Sequence, residues 1–202
     1  MKKRLAATSV LVIGLASPVP AMAEGSGASS DSRVVTSQEC LRITKKLTRV
    51  AGPARTAECT YRVETDVSEP VVVSALASTD LSDLSVHDRV SLRTAVATGA
   101  VRSKRYSQSL TGAAWTATQS GTFYYDGQRV WIGSAYRGRT GSHHCNVNYA
   151  VGFGLSLQNC SESGSNTQRN MYQSWYVSPL KVGVGWSAGS TIYLHRSGHT
   201  SY

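Results

Sequence analysis

The sequence predicts a mainly β protein: an antiparallel β-sandwich or barrel in the C-terminal half, preceded by a smaller region with strands and one helix. Glycine and short apolar segments alternate in the C-terminal half, as in many antiparallel folds. Asp126–Gly127 separates two β-prone segments, 122–125 and 128–132, and suits a type I′ hairpin turn. Six apolar residues alternate with small or polar ones and predict a strand with one buried face: Val147, Tyr149, Val151, Phe153, Leu155 and Leu157.

The remaining elements follow from shorter patterns. Segments rich in β-branched and aromatic residues predict strands at 40–50, 58–67, 71–73, 172–177, 181–186 and 191–195, with 71–73 buried. One helix is predicted over 85–98. Ser85 and Asp88 resemble a capping box at its start, and Gly99 suits its C-terminal cap.

Composition divides the chain near residue 105. Residues 106–202 hold nine of the ten Tyr, all four Trp and both Phe, but only two acids, Asp126 and Glu162. We therefore expect a flexible leader at 24–36, an N-terminal α+β region at 37–105, and an aromatic-rich antiparallel β domain at 106–202. The basic cluster Arg102–Arg105 has two interpretations. It is either a solvated surface or a processing point that would make 37–105 a pro-region.

The N-terminus has the pattern of a secretory signal peptide. Met1–Arg4 is basic, an apolar run follows from Leu5 to Ala16, and Ala21-Met22-Ala23 offers small residues for cleavage. The sequence therefore predicts a signal peptide at 1–23 and a secreted, extracellular protein. No later apolar stretch approaches the roughly 20 residues of a spanning helix, so we expect no transmembrane segment after signal removal.

Four cysteines, Cys40, Cys59, Cys145 and Cys160, predict two disulfides in an exported chain. Pairing of sequence neighbours, 40 with 59 and 145 with 160, is the default among three connectivities. A straight strand over 146–158 would hold Cys145 and Cys160 too far apart, so either the strand bends at its glycines or each cysteine pairs with one in the first half. The spacings fit no zinc template, and we expect neither a metal nor a cofactor.

The charge of the chain favours anionic partners. After signal removal 18 basic residues would face 12 acids, a net charge of +6. An anionic polymer or polysaccharide surface suits that balance. The basic residues are scattered, so nucleic acid is not expected.

Candidate catalytic residues are few. Gly185-Trp186-Ser187-Ala188-Gly189 matches the nucleophile-elbow pattern, but no acid follows it, and a glycine-rich hairpin is the favoured interpretation. His143 and His144, with His195 or His199, could serve a metal-dependent hydrolase. The favoured interpretation is that these histidines are polar loop residues beside a disulfide. Paired carboxylates would need acids from the first half of the chain.

The favoured prediction of function rests on the aromatic residues. Tyr and Trp combine a flat apolar body with a polar tip, which suits sugar rings and headgroups. Of the consecutive Tyr124 and Tyr125, one must face away from the core, while alternation places Tyr149 inside. We expect a secreted, non-enzymatic binding or effector protein that uses Tyr124, Tyr125, Trp131, Tyr136, Arg137 and Arg139. The alternatives are a secreted hydrolase, metal-dependent in one form, and a structural cell-envelope protein.

Overall fold

The structure is a computed structural model that describes residues 28–51, 59–73, 85–87, 89–90, 100–179 and 184–202. The mainly β prediction is confirmed, since two antiparallel sheets account for most of these residues. The predicted signal peptide lies outside the described residues. Within the described ranges no helix is long and apolar enough to cross a membrane.

The larger sheet has seven strands in the order β1-β2-β4-β5-β6, with β3 paired to β4 and β7 paired to β5. Its strands are β1 (Ser29–Thr36), β2 (Thr60–Val67), β3 (Val71–Val72), β4 (Arg102–Thr111), β5 (Trp115–Tyr125), β6 (Val130–Trp131) and β7 (Ser142–Ala150). The smaller sheet has four strands in the order β11-β10-β9-β8. They are β8 (Phe153–Gly164), β9 (Gln168–Pro179), β10 (Trp186–His195) and β11 (Thr200–Ser201).

The core lies between the two sheets and has two apolar clusters. Alternate residues of the long strands are buried, as a pleated sheet with one inward face requires. One cluster contains Trp115, Trp175 and Trp186, and the other contains Phe123 and Met171. Three glutamines, Gln108, Gln119 and Gln173, are also completely buried.

A helix replaces the strand predicted at 40–50, and that prediction is wrong. Helix α1 spans Gln38–Ala51, and the hydroxyl of Ser37 accepts a hydrogen bond from the backbone N–H of Cys40 at 3.2 Å. This is the geometry of a helix N-cap. Cys40 and Thr44, one helical turn apart, both meet Cys59. The β-branched residues of this segment suggested a strand. The N-cap at Ser37 and the contacts of residues one helical turn apart instead stabilise a helix.

Most of the helix predicted at 85–98 lies outside the described residues. Its described part, residues 86–87 and 89–90, is helical. The backbone N–H of Arg89 donates to the carbonyl of Ser85 at 3.0 Å, so a helical turn begins where the capping pattern placed it.

The structure also differs from the prediction at the leader and at residue 105. Ser29–Thr36, assigned to the flexible leader, form β1 and pair residue by residue with β2. This strand is almost wholly exposed, so backbone hydrogen bonds rather than apolar burial hold it at the sheet edge. Residue 105 lies inside β4, and strands from both sides of it form the seven-stranded sheet.

Residues 146–158 do not form one straight strand. The chain turns at Val151 and Gly152, where Gly152 adopts a φ of 73°, and passes from β7 in one sheet to β8 in the other. The turn brings the two half-strands together, so Cys145 pairs with Cys160 across a Cα separation of 6.0 Å. Cys40 pairs with Cys59, and the default pairing is confirmed.

The predicted buried face of this segment is wrong for four of its six apolar residues. Val147, Tyr149, Val151 and Leu157 are 41%, 48%, 70% and 46% exposed, while Phe153 and Leu155 are partly buried against the core. β7 and β8 are edge strands of their sheets, so alternation alone did not ensure burial. The same reason applies to Val71 and Val72, which are exposed on the two-residue strand β3.

The hairpin at Asp126–Gly127 is present, but its turn differs from the prediction. Four residues, 126–129, connect β5 to β6, because Tyr125 pairs with Val130. Among these turn residues only Gly127 has a positive φ, so the turn is not type I′. The Asp126 carboxylate instead accepts hydrogen bonds from the backbone N–H groups of Gln128 and Arg129, at 2.9 and 2.7 Å.

Candidate functional site

The face of the seven-stranded sheet directed away from the core, here called the outer face, carries parallel rows of hydroxyl groups. From Lys104 on β4, and on β5 except at Gly121, every second residue is buried, and the residues between them face outward. The hydroxyl rows are Ser107, Ser109 and Thr111 on β4, and Thr116, Thr118, Ser120 and Thr122 on β5. Ser109 and Thr118 lie opposite each other and their hydroxyl oxygens are 2.9 Å apart.

A shallow depression of about 740 Å³ lies on the outer face beside these rows. Ser107, Ser120 and Thr122 contribute to its lining, together with Arg105 of β4, Asp66 of β2 and His144 of β7. Hydroxyl groups both donate and accept hydrogen bonds, and a guanidinium adds fixed positive charge. The depression can therefore meet a partner that is rich in hydroxyls, while the carboxylate of Asp66 offsets the charge of Arg105.

Three aromatic side chains form a cluster at one end of the outer face. Tyr124 stacks on Trp131, with ring centroids 5.9 Å apart and planes inclined by 20°. Tyr136 meets Trp131 edge-on at 5.0 Å. Trp131 is almost fully buried by its neighbours, and its indole N–H donates to the backbone carbonyl of Arg139 at 3.0 Å. Tyr124 and Tyr136 remain partly exposed and present the cluster to solvent.

Two arginines complete the aromatic cluster. The guanidinium carbon of Arg129 lies 4.6 Å from the centre of the Tyr136 ring, and that of Arg137 lies 5.4 Å away. Both distances fall within the range of cation–π attraction. Arg137 also pairs with the Asp126 carboxylate at 3.3 Å, whereas Arg129 is exposed. Of these two guanidinium groups, that of Arg129 is therefore the more accessible to solvent.

A tight turn positions Tyr136 and Arg137. Tyr136 and Arg139 exchange two backbone hydrogen bonds of 3.1 Å around the two central residues. Arg137 and Gly138 have φ values of 51° and 65°, the combination that a type I′ turn requires. Arg137 is the one non-glycine residue with positive φ in the described part of the chain.

The structure brings together five of the six predicted binding residues: Tyr124, Trp131, Tyr136, Arg137 and Arg139. Tyr125 lies on the opposite face, buried in the core against Phe123, as expected for one of two consecutive strand residues. Sequence reasoning missed Arg129 and the hydroxyl rows. The alternation of Thr and Ser over 116–122 was a readable signal for the rows, because residues two apart in a strand share a face.

The adjacent histidines face opposite sides of β7. His143 points inward, where its Nδ1 and the hydroxyl group of Tyr106 form a hydrogen bond of 2.7 Å. Burial lowers the pKa of His143, against the opposing effects of the Tyr172 backbone and the Glu162 charge. His144 points outward into the depression. The two imidazoles therefore cannot share one ligand.

His143 lies against the Cys145–Cys160 disulfide, with its Nε2 3.3 Å from the Cys160 sulfur. In the described ranges this trio is the one set of three His, Cys, Asp or Glu side chains close enough to hold a metal ion. Both sulfurs are joined in the disulfide, and metal ligation by cysteine requires the thiolate.

His195 and Ser187 lie elsewhere on the four-stranded sheet. His195 pairs with Ser201 at 3.2 Å and packs near His199, with ring centroids 5.5 Å apart. Burial lowers the pKa of His195, and the neighbouring His199 adds to this effect. Ser187 lies in the extended strand β10 and donates its backbone N–H to Glu39 at 2.9 Å. A nucleophile elbow needs a sharp strand-to-helix turn, which this position lacks.

Comparison with known proteins identifies no relative. The chain matches no protein-family model, and no curated protein and no solved structure is significantly similar to it. The site must therefore be interpreted from its own chemistry.

Proposed function

We propose that the protein binds an anionic polysaccharide across the outer face of the seven-stranded sheet and has no catalytic role in that contact. The observation that carries this proposal is the packing of Arg129 over Tyr136, within the Tyr124–Trp131–Tyr136 cluster, at the end of the hydroxyl rows. The aromatic faces suit sugar rings, and the guanidinium suits carboxylate or phosphate groups on the polymer.

The dimensions of the outer face support a polymer rather than a single sugar. Tyr124 on β5 and Tyr149, which pairs with Thr116, point to the same side at opposite ends of the rows. The eight residue steps from position 116 to position 124 span about 26 Å at about 3.3 Å per residue. An extended chain could therefore contact aromatic side chains at both ends and hydroxyl groups between them.

A hydrolase receives less support from the described residues. His143 faces the core, His144 faces the outer surface and His195 lies on the other sheet. General acid–base catalysis needs its groups within reach of one reacting bond. The polar outer face, with its rows of hydroxyl groups, suits binding better than catalysis.

We also propose that the protein is exported. Its first 23 residues have the charge, apolar and small-residue order of a signal peptide. Two disulfides and no free cysteine in the described part of the chain agree with an oxidising compartment. A wall or capsule polysaccharide would be accessible to a protein in that location.

The direct test is the affinity of the purified chain for soluble polygalacturonate, an anionic polysaccharide, with dextran as its neutral counterpart. Arg129→Gln should weaken binding to polygalacturonate by roughly three- to fivefold, because it removes an exposed charge beside an aromatic ring. Isothermal titration calorimetry at low and moderate salt would measure the change.

Arg33→Gln is the matched control. Arg33 is also an exposed arginine, but it pairs with the inward-facing Val63 and so points away from the outer face. An equal loss for both variants would mean that total charge alone drives binding. Unchanged affinity of the Arg129→Gln variant for polygalacturonate would contradict the proposal. Failure of the unsubstituted protein to bind polygalacturonate would also contradict it.

A further inference from the structure

A second surface lies at the end of the sandwich where β7 passes into β8. Val147, Tyr149, Val151 and Leu157, here called the apolar tip, are all exposed, and Val151 most of all at 70%. The sequence from Ser142 to Ser161 contains no Asp, Glu, Lys or Arg. Tyr149 lies on the outer face, whereas Val147 and Leu157 lie on the inward side of the two edge strands, with Val151 at the turn between them. Exposed apolar side chains grouped around one turn, without charged neighbours in the sequence, suit contact with another apolar phase.

Strand pairing with a second copy does not suit this surface. β7 has a bulge at Asn148, which is skipped between the pairs Thr116–Tyr149 and Ala117–Val147. β8 has a bulge at Gln158, between the pairs that involve Leu157 and Asn159. Bulges interrupt the regular backbone ladder that an added strand would need. The tip is therefore protected against edge-to-edge association while its side chains stay exposed.

Basic side chains lie at the same end of the sandwich. The start of α1 is joined to the start of β10 by the bond from Ser187 to Glu39. Leu41 and Ile43 of α1 pack on the same core cluster as Phe153 and Leu155, which lie between Val151 and Leu157 in the sequence. The exposed residues of α1 next to this contact include Arg42, Lys45 and Lys46. One end of the molecule thus combines an uncharged apolar tip with a basic helix.

We propose that this end binds the surface of a membrane that contains anionic lipids, with the apolar tip entering the boundary between headgroups and acyl chains. The tip carries no charge that would have to be desolvated, and the Tyr149 ring suits the interface. Lys and Arg near such a surface are attracted to acidic headgroups. The apolar tip shares Tyr149 with the outer face, but Val147, Val151 and Leu157 lie off that face, and membrane binding does not depend on polysaccharide binding.

Fluorescence quenching at position 151 tests the proposal in the full chain. All four tryptophans, Trp115, Trp131, Trp175 and Trp186, are at most 3% exposed, so quenching by lipid reports on an introduced tryptophan. Val151→Trp is mixed with vesicles of phosphatidylcholine and phosphatidylglycerol whose acyl chains are brominated. Val71→Trp is the matched control, since Val71 is similarly exposed but pairs with Ser103 near the other end of β4.

We expect quenching in the Val151→Trp variant and not in the Val71→Trp variant, and loss of quenching in vesicles of phosphatidylcholine alone. Val151→Asp should lower vesicle partitioning about tenfold, because a charge replaces a valine that enters the membrane. Attachment through the apolar N-terminal segment would leave the introduced indole of Val151→Trp unquenched and overturn the proposal. Equal quenching of both variants would also overturn it.

Two further outcomes are decisive. The double variant Lys45→Glu, Lys46→Glu should reduce vesicle binding, and unchanged binding would overturn the role of anionic lipid. Concentration-dependent dimerisation that Val151→Asp abolishes would assign the tip to a second copy instead. The polysaccharide assay with Arg129→Gln is unaffected by any of these results, so the two proposals fail separately.

Discussion

His143 and His144 are neighbours in sequence, but the pleat of β7 gives them different chemistry. The imidazole of His143 lies between Tyr106 and the Cys145–Cys160 disulfide, where burial lowers its pKa. The imidazole of His144 is exposed on the outer face. The hydroxyl of Tyr106 is buried as well, and burial raises its pKa, so the pair is neutral near pH 7.

We expect His143 to make the fold less stable in mild acid. The pKa of its side chain is lower in the folded than in the unfolded chain, so the unfolded chain binds the additional proton. The corresponding stability is complete above the ordinary histidine value of about 6.5 and is lost as the pH falls below it.

Urea denaturation of the wild type and of His143→Gln between pH 8 and 5 would measure this loss. The variant should show a smaller decrease in the free energy of unfolding over the acidic part of the range. If the free energy of unfolding changed with pH equally in the wild type and in His143→Gln, the proposed contribution of His143 would be refuted.

Arg137 shows a second effect at the scale of one residue, a backbone conformation that most side chains avoid. Its φ of 51° lies in the left-handed region, which Asn tolerates and β-branched residues do not. The Asp126 carboxylate and Tyr136 hydroxyl hold its side chain, at 3.3 and 3.2 Å.

Replacement of Arg137 by Val should lower the free energy of unfolding by about 1–2 kcal/mol more than replacement by Asn. Both variants lose the guanidinium, so their difference isolates the cost of the backbone conformation. Thermal denaturation of the two variants measures it. Equal stability would show that the turn relaxes when the side chain is changed.

At the scale of elements, α1 depends on its first turn. Ser37 caps the helix through the N–H of Cys40, and the adjacent Cys40–Cys59 disulfide joins the helix to the start of β2. Without these contacts a helix of 14 residues would be marginal in water. Its stability therefore comes from the Ser37 cap, the disulfide and its packing on one end of the sandwich.

Ser37→Ala should lower the free energy of unfolding by about 1 kcal/mol, as loss of an N-cap commonly does. Ser32→Ala is the control, because Ser32 lies on the exposed strand β1. Urea denaturation followed by circular dichroism would compare them. An unchanged midpoint for Ser37→Ala would mean that the disulfide alone fixes the helix start.

At the scale of the whole molecule, a buried polar layer separates the two apolar core clusters. The side-chain amide of Gln119 donates to the Gln108 carbonyl oxygen at 2.6 Å, and the amide of Gln108 donates to Thr65 at 2.9 Å. Gln173, from the other sheet, donates to the backbone carbonyl of Gln108 at 2.9 Å. This network connects the sheets and, since its partners are specific, favours one relative placement of them.

Gln108→Leu should lower the free energy of unfolding by about 1–3 kcal/mol, because the amide of Gln119 and the hydroxyl of Thr65 lose their partner in the core. Ser107→Ala, one residue away on the outer face, should change stability little. Chemical denaturation of both variants gives the comparison. Wild-type stability in Gln108→Leu would show that the layer rearranges or admits water.

Local patterns determined the fold class, most strand positions and the division of Tyr124 and Tyr125 between two faces. These depend on alternation and turn residues, which act within a few positions of the chain. Local patterns also pointed to the aromatic residues that cluster beside the outer face. The helix at 38–51 was mistaken for a strand because its β-branched residues are typical of strands and the N-cap at Ser37 was not recognised.

Tertiary structure alone decided which apolar residues are buried and which polar groups meet. Val147 and Leu157 have the alternation of core residues, yet they are exposed because β7 and β8 lie at the sheet edges. The turn at Gly152 decided the pairing of Cys145 with Cys160, and the register of β4 against β5 aligned the hydroxyl rows. Edge position, sheet crossing and register depend on contacts between distant segments, so short-range sequence patterns do not contain them.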